Sequence, residues 1–97
     1  MWILQRSGAN GRSTTFRLAP GAVKTVGRAP RADFIVDAAL VSRLHCRLTA
    51  GVEKLEVEDL SSTNGTYVND KRVNRAQLGR GDRLRVGRME LIVDRQV

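Results

Sequence analysis

A chain of 97 residues, 41% hydrophobic and 28% charged, has room for one domain with one core, and its composition is that of a folded protein. No apolar run approaches the roughly 20 residues that span a bilayer, and the opening Met1-Trp2-Ile3-Leu4-Gln5-Arg6 is too short an apolar run for a secretory leader. The net charge of +7, carried mainly by arginine, suits an anionic partner such as a phosphorylated or acidic peptide, nucleic acid or an acidic membrane.

Trp2, Ile3 and Leu4 open a first strand, and the Gly-, Asn- and Ser-containing segment 8–13 reads as a flexible turn. Residues 14–18 alternate, with Phe16 and Leu18 on one face, and Pro20-Gly21 turns the chain into a strand over 23–26 that ends in Gly27-Arg28. A short strand at 33–36 puts Phe34 and Val36 on one face, and 37–40 bridges to Ser42. Alternation is clear at 45–50 and again at 53–59, where Leu55 and Val57 face inward. After the polar loop Ser61-Ser62-Thr63-Asn64-Gly65, strands are expected at 66–68 and 71–73 around an Asn69-Asp70 hairpin turn. The last two, at 83–86 and 89–94, flank Gly87-Arg88. No stretch keeps a 3.6-residue apolar period, so many short strands with Gly-rich turns imply an all-β sandwich or barrel with little helix.

Charge is unevenly spread: Glu53, Glu56, Glu58 and Asp59 fall together, whereas Arg72, Arg75, Arg80, Arg83, Arg85 and Arg88 dominate the later part. Cys46, in phase with Leu48 and Ala50, reads as a small core residue; a lone cysteine forms no internal disulfide, which fits a reducing compartment and a cytoplasmic location. His45 is the only histidine, which removes most metal sites and most histidine-dependent catalysis. Ser42 stands three residues from it, without a nucleophile elbow or an evident orienting group. No metal cluster, phosphate-cradling Gly loop or paired-carboxylate site is visible, so no enzyme, cofactor or metal is expected.

Three polar pieces carry donors suited to phosphate. The guanidinium of Arg28 can give paired hydrogen bonds to phosphate oxygens in a way lysine cannot. Ser42 adds a hydroxyl, Arg43 a second guanidinium, and Thr63-Asn64 a hydroxyl beside an amide that both donates and accepts. Gly27 serves the backbone, through either a positive φ or a close approach of chains.

Gly27-Arg28, then Ser42-x-x-His45, then Asn64-Gly65-Thr66 with Asn69 shortly after, resembles the forkhead-associated (FHA) family of phosphothreonine-binding domains over nearly the whole chain. The resemblance implies one domain over 1–97, a sandwich of two mainly antiparallel sheets with about ten or eleven short strands, and binding loops at one end. It implies that Arg28, Ser42 and Thr63 meet the phosphothreonine, that Asn64 grips the peptide backbone, and that Arg43 adds charge or touches the peptide. Gly27, His45, Gly65, Thr66 and Asn69 would support the loops. The implied function is a phosphothreonine-dependent protein-interaction module that reads the product of an upstream Ser/Thr kinase, with no membrane partner. The alternative is a basic nucleic-acid-binding or phosphate-independent scaffold domain, for which aromatic platforms are scarce and Tyr67 is the one near the site. Leu40, Arg31 and the region from Arg72 to Arg80 are candidates for choosing between partners.

Overall fold

Side chains that are apolar at every second position bury one face of a sheet, and such a face is covered by stacking on another sheet. The computed structural model of the chain describes residues 1–7 and 13–96 and has this arrangement. Its strands are β1 (Trp2–Ser7), β2 (Ser13–Leu18), β3 (Val23–Gly27), β4 (Phe34–Ile35), β5 (Cys46–Ala50), β6 (Leu55–Asp59), β7 (Thr66–Val68), β8 (Lys71–Val73), β9 (Arg75–Leu78), β10 (Arg83–Val86) and β11 (Met89–Arg95). One sheet has the order β2-β1-β11-β10-β7-β8 and the other β4-β3-β5-β6-β9. Pairing is antiparallel except between β3 and β4, which run parallel. Among the described residues no helix is long and apolar enough to cross a membrane.

Leu4, Leu18, Leu84, Val86 and Leu91 from the first sheet meet Val26, Cys46, Leu48, Leu55, Val57 and Leu78 from the second in a fully buried core. Phe16 and Phe34, on the edge strands β2 and β4, stack at 4.4 Å between centroids and close one side of the sandwich. Trp2 buries its ring and satisfies its indole N–H on the Gly51 carbonyl at 2.8 Å.

The structure differs from expectation in details that have local causes. β4 is shorter than 33–36 because Asp33 serves as an anchor: its Oδ2 accepts from Thr25 N (2.8 Å) and Thr25 Oγ1 (3.1 Å). β6 starts at Leu55 because Gly51 N donates to the Lys54 carbonyl and closes a turn before it. β9 was not anticipated; Ala76 and Leu78 alternate with Arg75 and Gln77, a period-two signal of two apolar residues. The turn expected at 8–13 lies, apart from Ser13, outside the described residues.

Register decides which loops meet. Cys46 pairs with both Val26 and Asp59, and Val86 pairs with Thr66. The end of β3, the start of β5, the end of β6 and the start of β7 therefore share one end of the sandwich. Asn69 and Asp70, both at positive φ (49° and 69°), form the tight hairpin turn expected of them at the opposite end.

Candidate functional site

Gly27 ends β3 where the backbone after Ser42 crosses it. A Cβ at Gly27 would sit 2.0 Å from the Arg43 carbonyl oxygen, and its φ is not among the positive ones, so close approach is what requires glycine. Across this contact Arg28 N donates to the Ser42 carbonyl (3.0 Å) and Ala29 N to the Arg43 carbonyl (3.1 Å). Arg28 Nε donates to the Val41 carbonyl (3.1 Å), which fixes the plane of the guanidinium. Its two terminal nitrogens have no partner among the described residues, and the side chain lines a cleft of about 460 Å³ with Asp37, Leu40, Ser42, Thr63 and Asn64.

His45 is fully buried beneath this cleft and joins two loops. Its Nδ1 accepts from Ser42 N (3.1 Å), so the ring proton belongs on Nε2, which donates to the Gly65 carbonyl (2.8 Å). Both nitrogens are thus committed to loop geometry. Ser42 Oγ accepts from Thr63 N (3.1 Å), leaving the hydroxyl proton for an acceptor in the cleft. Asn64 Nδ2 donates to the Leu40 carbonyl (3.1 Å), leaving Oδ1 and a second N–H for a ligand's peptide unit.

Leu40 is the unusual residue of the cleft: it is exposed at φ 71°, where a leucine is strained. The Asn64 bond holds it from one side and Gly87 from the other, where a Cβ would come within 3.0 Å of the Leu40 carbonyl.

The loop between β6 and β7 is organised by a residue that sequence reasoning missed. Ser62 N, Ser62 Oγ and Thr66 Oγ1 all donate to the Asp59 carboxylate, and Gly65 N donates to Ser62 Oγ (3.0 Å). Burial raises the Asp59 carboxyl, but the hydrogen bonds from Ser62 and Thr66 outweigh it, so the group stays below the usual carboxylate range. A signal was present: Asp59 continues the inward phase of Leu55 and Val57, and an acid on an apolar face needs local donors.

Arg28, Ser42, Thr63 and Asn64 are thus brought to one cleft, and Gly27, His45, Gly65 and Thr66 lie directly behind it. Arg43 contributes its carbonyl to the packing, while its side chain is exposed and does not line the cleft. Asn69 is corrected outright. It sits at the far end of β7, where Nδ2 donates to Asp82 Oδ1 (3.1 Å) and Oδ1 accepts from Arg83 N (2.9 Å), so it braces the hairpin and not the loops around Arg28. Cys46 is buried, and burial together with the Asp59 charge pushes its thiol up to about 12, far from nucleophilic at neutral pH. Among the described residues no group of three or more His, Cys, Asp or Glu is placed to hold a metal ion.

Comparison with known proteins converges on one family. The family model of the FHA domain matches residues 24–87. The glycogen accumulation regulator GarA of Mycobacterium tuberculosis is 37% identical over 71 residues, covering 73% of this chain and 44% of GarA. The chain spans about half the length of the first curated relatives it matches. Among solved structures, an FHA domain from work on phosphothreonine-dependent FHA domain interactions superposes with a TM-score of 0.84 at 34% identity, covering 99% of this chain and 97% of that one. The FhaA FHA domain, solved in complex with the intracellular domain of Rv3910, does so with a TM-score of 0.84 at 36% identity, covering 96% of this chain and 99% of the other. A two-sheet sandwich that gathers Gly27-Arg28, Ser42-x-x-His45 and Asn64-Gly65 at one end, matched in sequence and in fold, belongs to the FHA domain family.

Proposed function

We propose that this chain is a phosphothreonine-dependent protein-interaction module. One observation carries the reading: Arg28 is held through Nε, so its two terminal nitrogens stand open in a cleft shared with the Ser42 hydroxyl. A phosphothreonine brings about −1.5 to −2 charges at neutral pH, and this pair supplies charge-assisted bonds to it. Thr63 flanks the phosphate, and Asn64 takes the peptide unit beside it through the free half of its amide. Two relatives support the ligand class, one studied for phosphothreonine-dependent interactions and one in complex with an intracellular protein domain.

The module performs no chemistry in this reading. A kinase writes the ligand, a phosphatase erases it, and the domain reports which state the partner is in. A cytoplasmic location is part of this reading, supported by the free, buried thiol of Cys46. Residues 1–97 act as one unit.

The test is titration with three peptide pools, phosphothreonine, phosphoserine and unphosphorylated, against the wild type and Arg28→Ala. Phosphothreonine-dependent binding that falls by about thirtyfold or more in Arg28→Ala is expected, because one partner of a hydrogen-bonded charge pair is removed. Equal binding of all pools, or binding abolished by salt and indifferent to Arg28, would overturn it in favour of nucleic acid or a phosphate-independent scaffold.

A further inference from the structure

The two outer faces of the sandwich hold their charge differently. On the β4-β3-β5-β6-β9 sheet the arginines are matched: Arg47 pairs with Glu58, and Arg75 with Glu58 (3.0 Å) and Glu56 (3.6 Å). On the other sheet, Arg72 of β8, Tyr67 of β7 and Arg85 of β10 stand directly opposite one another across three strands. Their neighbours Thr66, Leu84 and Val86 are buried, so all three belong to the outward face. Glu90 of β11 stands opposite Arg85 in register, yet among the described residues neither Arg72 nor Arg85 has a carboxylate within ion-pair distance. Arg85 instead lies over the Tyr67 ring, 4.2 Å from its centroid, which holds the guanidinium against the sheet.

This row begins at the edge of the cleft. Arg72 packs on Gly65, where an added Cβ would come within 2.8 Å of Nε, and Gly65 directly follows the cleft residue Asn64. Inside the cleft the charged side chains are Arg28 and Asp37, and Asp37 repels a ligand carboxylate placed there. Along Arg72 and Arg85 the same carboxylate is attracted, and the acid in register with the row, Glu90, stands at the far end from the cleft and outside ion-pair distance of Arg85.

We propose that Arg72, Tyr67 and Arg85 form a second anion subsite continuous with the phosphothreonine cleft, and that it takes aspartate or glutamate side chains of the partner segment carrying the phosphothreonine. The position of the phosphothreonine rests on the function proposed above; the attraction of the row for carboxylates does not. Two strand spacings separate Arg72 from Arg85, about 10 Å, which an extended peptide crosses in about three residues. The acidic residues therefore fall within about six residues of the phosphothreonine.

The experiment uses fluorescent peptides with one phosphothreonine core and acidic, neutral or basic flanks, titrated against the wild type, Arg72→Gln, the double variant R72Q/R85Q and Arg28→Ala. The wild type should favour the acidic over the neutral flank by about threefold to tenfold, less as salt rises. Arg72→Gln should narrow that preference and R72Q/R85Q remove it, while Arg28→Ala weakens all three peptides. Arg72 is exposed and has no ion pair among the described residues, so its variant decides the matter if loss of the Arg85 stacking disturbs folding. No flank preference in the wild type, or a preference untouched in Arg72→Gln, overturns the proposal. So does a DNA duplex whose affinity falls in the double variant when no flank preference exists. If no phosphothreonine peptide binds the wild type, the reader function fails alone, and an unphosphorylated acidic peptide at low salt tests the row. Binding that Arg72→Gln weakens keeps the subsite, and absence of binding removes it.

Discussion

Gly27 acts by what it lacks. The 2.0 Å that a Cβ would leave to the Arg43 carbonyl involves backbone on both sides, so no side chain can turn away to relieve it. Gly27→Ala should cost about 1–3 kcal/mol of stability through forced separation of the two segments. It should also weaken phosphopeptide binding, because Arg28 and Ser42 are joined across that contact. Thermal denaturation and a peptide titration on the same variant check both. His45→Ala should act similarly from below, stranding Ser42 N–H and the Gly65 carbonyl without touching the ligand. Each stranded group costs about 1–3 kcal/mol, read as a lower Tm together with a raised Kd. Cys46 gives a check of another kind. With its thiol pushed up to about 12 and no exposed surface, it should react with a thiol reagent only as fast as the protein opens, and at an ordinary thiol rate in denaturant.

At the scale of elements, the β6–β7 loop is a carboxylate wrapped by its own following residues. Asp59 is held below its ordinary value, so its contribution to stability is complete above the unfolded value of about 3.9 and is lost as the pH falls through the lower folded one. Acid denaturation followed between about pH 5 and pH 2 should therefore be less steep in Asp59→Asn than in the wild type. Asp33 and Asp82, also lowered by hydrogen bonds, remain in both proteins as a common background. The strand β9 was the element least visible beforehand, yet Leu78 is fully buried. Leu78→Ala should cost about 2–5 kcal/mol while leaving peptide affinity intact well below the melting temperature, since it lies at the end of β9 away from the cleft.

Across the whole molecule, the sandwich separates support from recognition. Met1 N donates to the Gln96 carbonyl and Gln96 N to the Met1 carbonyl, so the described ends of the chain lie together. The register of β1 with β11 puts them at the end away from Ser42 and Asn64. Charge is divided in the same way. One face neutralises its arginines with Glu56 and Glu58, whereas the other pairs Arg83 with Asp70 and leaves Arg72 and Arg85 without an ion-pair partner among the described residues, an arrangement that the total of +7 does not distinguish from an even spread.

The alternation at Phe16/Leu18, Cys46/Leu48/Ala50 and Leu84/Val86 was enough to reveal strands and their buried faces, because a pleated chain repeats every two residues whatever it pairs with. The motifs around Arg28, Ser42, His45 and Asn64 were likewise local and could be read before any pairing was known. What only the tertiary structure decided depends on residues far apart in the chain. Gly27 is required by Arg43, His45 by Ser42 and Gly65, and Leu40 is held by Asn64 and Gly87. Asn69 followed the site in sequence yet lies at the other end of its strand, because three residues of β7 carry the chain about 10 Å away. Arg72 comes back to the cleft for the same reason in reverse, since β8 returns antiparallel to β7 and sets it against Gly65. Sequence patterns report which face a side chain takes; which loops share an end is set by strand register, and register is a property of pairs.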